Sequence, residues 1–146
     1  MPELIIICLH QPALELAEKV ASLCDGEVHG LQSRVKTIPE TFEKTKEHLR
    51  NLFQKGHPLV GICSSGILIR SLADVLSDKH TEPPVLAIAE DGNCVIPLLG
   101  GHHGANDLAR KIASGLGVPA AVTTAGDLKF GIALDQPPED LTLANP

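Results

Sequence analysis

Tryptophan and tyrosine are absent from the 146 residues, and three phenylalanines are the whole benzenoid aromatic content. A base-stacking nucleic-acid platform needs exposed rings, so this chain is poorly equipped to be one. Positive charge is also short. Twelve Lys and Arg stand against 18 Asp and Glu, a formal net charge of −6, which repels a phosphate backbone. No apolar run approaches the roughly 18–20 residues that span a bilayer. No basic residue precedes the first short apolar stretch and no small-residue cleavage site follows it, unlike a secretory signal. The sequence is read as soluble and cytoplasmic, with neither nucleic acid nor membrane as partner. Cys8, Cys24, Cys63 and Cys94 are far apart and form no C-x-x-C. Buried reduced thiols are expected, not a disulfide framework.

What remains is aliphatic: 43% of the residues are hydrophobic, enough for one well-buried domain. "ELIIICL" (3–9) reads as a strand covered on both faces. The following helix has Pro12 in its first turn, Leu16, Val20 and Leu23 at helical spacing, and Gly26 as its stop. "EVHGLQ" is a weaker strand. Thr37 and Glu40 fit a capping box, predicting a helix with Phe42, Leu49, Leu52 and Phe53 on one face, ended by Gly56. "PLVGIC" (58–63) is a second apolar strand. Ser64 or Ser65 caps the next helix, whose inner stripe is Leu68, Leu72, Val75 and Leu76. "PVLAIAE" and "CVIPLL" flank Asp91-Gly92, a hairpin signal that makes them antiparallel. A helix over about 105–116 buries Leu108, Ile112 and Leu116, and Gly117 ends it. "AAVTT" after Pro119 is expected to be a last strand. Alternating strands and helices predict an α/β three-layer sandwich: a mostly parallel central sheet with one antiparallel hairpin, and helices on both faces. Residues 1–127 form the expected domain. Residues 128–146, rich in proline, read as a linker or arm leading to a downstream domain that is missing from this chain.

Ligands in open α/β sheets collect beyond the carboxyl ends of strands, and two segments are expected there. In "PLLGGHHGAN", Gly100, Gly101 and Gly104 allow close backbone approach, and the helix start that follows favours an anion. His102 or His103 is a candidate general base, and Asn106 a candidate orienting group or oxyanion donor. The plain alternative is a tight turn with solvated histidines. In "ICSSGILIR", Ser64, Ser65 and Gly66 could cradle a carboxylate that Arg70 grips; the alternative is a serine cap and a surface arginine. Glu90 ends a strand, and Thr123 and Thr124 are candidates for the same rim. A serine nucleophile lacks its G-x-S-x-G elbow, and no nucleotide fingerprint is present. Adjacent histidines diverge and the other five are scattered, so no metal site is expected.

"GICSSGILIR" and "DGNCVIPLLGGHHGANDLARKIASGLGVPAAVTTA" together resemble the N-terminal domain of the CbiG family of cobalamin biosynthesis, the cobalt-precorrin-5A hydrolases. The resemblance runs from the first strand to about residue 127, and residues 91–125 are its most specific part. It implies action on a cobalt-bound corrinoid intermediate: opening of the ring A lactone and release of acetaldehyde. It implies no resident cofactor, cobalt entering only within the substrate. It implies a precorrin methyltransferase as a fused or associated partner, such as a precorrin-3B C17-methyltransferase. Many relatives carry one glycine more in this turn, G-H-x-G-G-A-N, so His102 and His103 both stay open for the family's histidine, with His102 favoured. A non-catalytic corrinoid-binding or docking domain is the alternative reading.

Overall fold

Residues 5–8, 59–62 and 85–88 are buried at every position. A segment covered on both sides can hydrogen-bond only to other strands, so these β-branched runs lie side by side at the centre of a sheet. The computed structural model describes residues 2–125; residues 128–146 lie outside them. The strands are β1 (Ile5–Cys8), β2 (Glu27–Leu31), β3 (Thr41–Phe42), β4 (Leu59–Ile62), β5 (Val85–Ile88) and β6 (Val95–Leu99). They form one sheet in the order β3-β2-β1-β4-β5-β6. Every pairing is parallel except β5 with β6, the antiparallel pair expected from Asp91-Gly92.

Alternate residues point to opposite faces. Ile6, Cys8, Val60, Ile62, Leu86 and Ile88 pack under α1 (Leu14–Cys24) and α4 (Ala105–Leu116). Ile5, Ile7, Leu59, Val85 and Ala87 pack under α2 (Thr45–Gln54) and α3 (Ser65–Leu72). The result is the expected three-layer α/β sandwich. Gly61 and Ala87 stand side by side in the register, and these small residues let α3 sit close to the sheet through Leu68.

Four local expectations change. The capping box at Thr37 and Glu40 does not start a helix. Backbone groups of this segment serve the sheet edge instead: Gly30 N–H donates to Glu40 O at 2.9 Å and Gln32 N–H to Phe42 O at 2.8 Å. Phe42 therefore lies in β3, its ring stacked 4.4 Å from that of His48, and α2 begins at Thr45. Leu76 is 40% exposed because α3 ends at Leu72 and a short 3-10 turn follows. Helix α1 ends on Asp25, whose φ is 55°. Gly26 answers a packing need, since a Cβ there would overlap Ile6 Cδ1. "AAVTT" makes a single parallel bridge, Val95 with Ala120, closed by Ala121 N–H to Val95 O at 2.8 Å. Among the described residues no helix is long and apolar enough to cross a membrane.

A Cβ at Gly61 would stand 2.9 Å from both Leu68 methyl carbons and 3.0 Å from Cys63 Sγ. All three lie in a closed core, so Gly61→Ala is expected to cost about 1–3 kcal/mol by overpacking. Urea unfolding checks this; an unchanged midpoint would show that α3 can lift without loss.

Candidate functional site

The strand order reverses between β1 and β4: after β1 the chain moves to β2 and β3, then returns to the other side of β1. At such a switch point the loops leaving adjacent parallel strands diverge and leave a crevice at their carboxyl ends. A groove of about 520 Å³ lies there. Leu9 and His10 come from the end of β1, Leu31 and Arg34 from the end of β2, Cys63, Ser64 and Ile67 from β4 and the start of α3, and Glu90 from beyond β5. His10 Nδ1 is 3.6 Å from Glu90 Oε2, with both side chains about half exposed. Ser64 is the N-cap of α3 and makes no side-chain capping bond. Gly66 leaves room for Arg70 to fold back over the first helical turn: Arg70 Nη1 is 2.8 Å from where a Cβ would be. Cys63 forms part of the wall but is not poised as a nucleophile. Burial, reinforced by the negative charge of Glu90, pushes its thiol up to about 12.

The glycine-histidine turn is not at this edge. Because β6 runs antiparallel, Leu99 pairs with Val85, the first residue of β5, and the chain emerges at the amino ends of the parallel strands. Gly100 has φ 73° and packs against Pro84, whose Cα would lie 3.0 Å from a Cβ. Gly101–His103 form one 3-10 turn, and Gly104, with φ 106°, begins α4. His102 is half-buried and His103 exposed, the His103 ring lying edge-on to His80 at 6.1 Å. Asn106 is buried, and its Nδ2 donates to Thr124 Oγ1 at 2.8 Å. A Cβ on Gly101 would come within 3.2 Å of Thr124 and 3.3 Å of Asn106. Asn106 thus ties the turn to the segment after α4. Asp107 already places a carboxylate in the first turn of α4, 3.6 Å from Arg110, where it occupies the favourable field of the helix start.

The residues singled out from the sequence therefore form two groups. Ser64, Ser65, Gly66, Arg70 and Glu90 lie at the carboxyl edge. Gly100, Gly101, His102, His103, Gly104, Asn106 and Thr124 lie at the amino edge, and Thr123 is exposed with them. The expectation that both segments follow carboxyl ends fails for the second, since reversal of β6 carries it to the other end. Four residues of β5 separate the edges by roughly 13 Å of sheet. His10, Arg34, Leu9, Leu31, Cys63 and Ile67 were missed as groove residues. His10 was findable, directly after the strand read at residues 3–9; Arg34 carries no sequence signal.

A further cluster joins β2 and the approach to β3. Glu27, His29 and Glu40 each bring a potential ligand atom within 4.8 Å of the others, a donor set that divalent ions accept. His29 Nδ1 lies 2.9 Å from His48 Nε2, and burial holds both rings below the ordinary histidine range.

Two outcomes test this geometry. Asn106→Ala removes the amide that holds Thr124 and is expected to destabilise the fold by about 1–3 kcal/mol, read as a lower midpoint in chemical denaturation. Cys63, with its thiol near 12 against an ordinary 9.0, should have about a thousandfold less thiolate at pH 8 than in the unfolded chain. Its alkylation by iodoacetamide, followed by mass spectrometry, should be slower in proportion.

Known proteins resemble this chain in sequence and shape. Residues 47–127 match the family described as "Cobalamin synthesis G N-terminal". A cobalt-precorrin-5A hydrolase of Priestia megaterium is 40% identical over 88 residues, 60% of this chain and 24% of the relative. One from Salmonella typhimurium is 42% identical over 87 residues, 59% of this chain and 25% of the relative. The chain thus spans about a quarter of the length of these curated relatives. The crystal structure of a cobalamin biosynthesis protein G homologue from Sulfolobus solfataricus superposes with a TM-score of 0.62 at 21% identity, covering 83% of this chain and 36% of that one; it speaks for the fold alone. Since the family match covers more than half of its residues, this chain belongs to the cobalamin synthesis G N-terminal family.

Proposed function

We propose that this domain serves in cobalt-precorrin-5A hydrolysis, a step of cobalamin biosynthesis, with His102 as its proton-transfer group. The observation that carries the reading is the 40% and 42% identity to two proteins of that name. The turn fits the chemistry required. Water adds to the lactone carbonyl carbon as a base takes its proton, and the ring oxygen leaves with a proton to give an acid and an alcohol. Loss of acetaldehyde then needs the hydroxyl proton removed, a carbon–carbon bond broken and a proton returned to carbon. One imidazole can serve both stages in turn. His102 is favoured over His103 because it is half-buried in a turn braced by Asn106 and Thr124, whereas His103 is exposed beside His80. Asn106, with an N–H committed to Thr124, is a positioning residue in this reading.

The reading assigns no resident cofactor; cobalt enters as part of the substrate. All four cysteines are free, which suits a reducing cytoplasm. A precorrin methyltransferase, fused or associated, is supported by the resemblance of residues 91–125 alone. Coverage of a quarter of the relatives' length favours one second reading, a domain that holds the corrinoid while other parts of the enzyme act on it.

In a full-length hydrolase containing this chain, His102→Ala is expected to lower acetaldehyde release by at least about 100-fold with an unchanged melting temperature, and His103→Ala to lower it far less. Wild-type rates in both variants would remove the turn from the mechanism. Retained corrinoid binding alongside those rates, followed by absorbance, would support the holding role.

A further inference from the structure

The groove at the carboxyl edge takes no part in the chemistry assigned to the turn. The two edges lie at opposite ends of β5, and helices cover both faces of the sheet between them. We propose that this groove is a separate binding site for an amphipathic ligand bearing a carboxylate.

Its size and place suit a small-molecule site: about 520 Å³, within the usual range for such pockets, at the switch point of the sheet. Its walls are divided by chemistry. Leu9, Leu31 and Ile67 offer aliphatic surface, and Ile67 remains 36% exposed on the rim. Arg34 offers a planar guanidinium that matches a carboxylate in two hydrogen bonds. Ser64, with no capping bond of its own, offers a hydroxyl in the same groove. Outside the groove's lining, Arg70 lies over the first turn of α3, its Nη1 2.8 Å from where a Cβ on Gly66 would be.

Glu90 sets the polarity of the site. Its carboxylate, 3.6 Å from His10, repels an incoming acid, which leaves Arg34, beyond the end of β2, to receive the acid end of the ligand. The His10–Glu90 pair is left to meet a hydrogen-bonding group further along the ligand. A carboxylate on an aliphatic stem describes the ligand. A tetrapyrrole side arm and a free small dicarboxylate both have a carboxylate on a short aliphatic stem, and the test separates them.

The chain is titrated with dicyano-cobyrinic acid, with its fully esterified form and with glutarate, by calorimetry. Saturable binding of the corrinoid acid is expected. Arg34→Ala should weaken it at least about tenfold, and Ser64→Ala, which removes a groove hydroxyl, should weaken it less. Thermal melts confirm that both variants fold. The ester should bind at least about tenfold more weakly than the acid. Tighter binding of the corrinoid acid than of glutarate assigns the groove to a tetrapyrrole arm; equal affinity assigns it to a small free dicarboxylate. The proposal is overturned by ester binding as tight as acid binding, by an unchanged affinity in Arg34→Ala, or by no saturable signal from either acid. Because calorimetry reads binding and acetaldehyde release reads chemistry, loss of one leaves the other standing.

Discussion

Strands β1, β4 and β5 are buried at every position, and an unpaired peptide group in such a place costs several kcal/mol. The three strands satisfy one another through a parallel ladder in register, Ile5 with Leu59 and Leu59 with Val85. Everything else is arranged around that need. Parallel strands require crossovers, crossovers supply the helices, and the helices cover the two apolar faces that made the strands two-sided. The residues between elements are thereby sorted to one end of the sheet or the other.

That sorting is broken once, at Asp91-Gly92-Asn93. Asp91 accepts from the Asn93 backbone N–H at 3.0 Å and from its side-chain amide at 2.9 Å, while Ala89 N–H donates to Cys94 O at 3.1 Å. The chain turns back on itself in a few residues, and β6 descends beside β5. The consequence for function is large. A parallel β6 would have put the His102 turn at the same edge of the sheet as the groove. An antiparallel β6 puts the histidines at the far edge, beside Pro84, and leaves His10, Glu90, Arg34 and Ser64 to line the switch point.

Much of the fold was legible because its signals are local. Apolar β-branched runs, the helical stripes of α1, α3 and α4, and the Asp-Gly turn each declare themselves within a few residues. The failures have separate causes. Thr37 and Glu40 have capping-box spacing, yet their segment gains more from pairing with β2 than from starting a helix. Leu76 continues a periodic stripe, but α3 ends at Leu72 and a 3-10 turn leaves Leu76 40% exposed on the rim of an apolar groove. "AAVTT" has strand propensity but reaches only one bridge partner. Only in the Thr37–Glu40 segment does a contact with residues distant in sequence outweigh a local preference.

The sequence by itself determined the class of fold, the two apolar faces, the antiparallel hairpin and the motif that marks the family. Those depend on side-chain size, polarity and spacing, which are written residue by residue. Only the tertiary structure decided which functional residues share an edge. Strand order and direction set that, and they follow from how buried backbone and apolar faces are satisfied across the whole chain. His10 and Glu90 stand 80 residues apart in sequence and 3.6 Å apart in space, while Glu90 and His102, 12 apart in the chain, face opposite ends of the sheet.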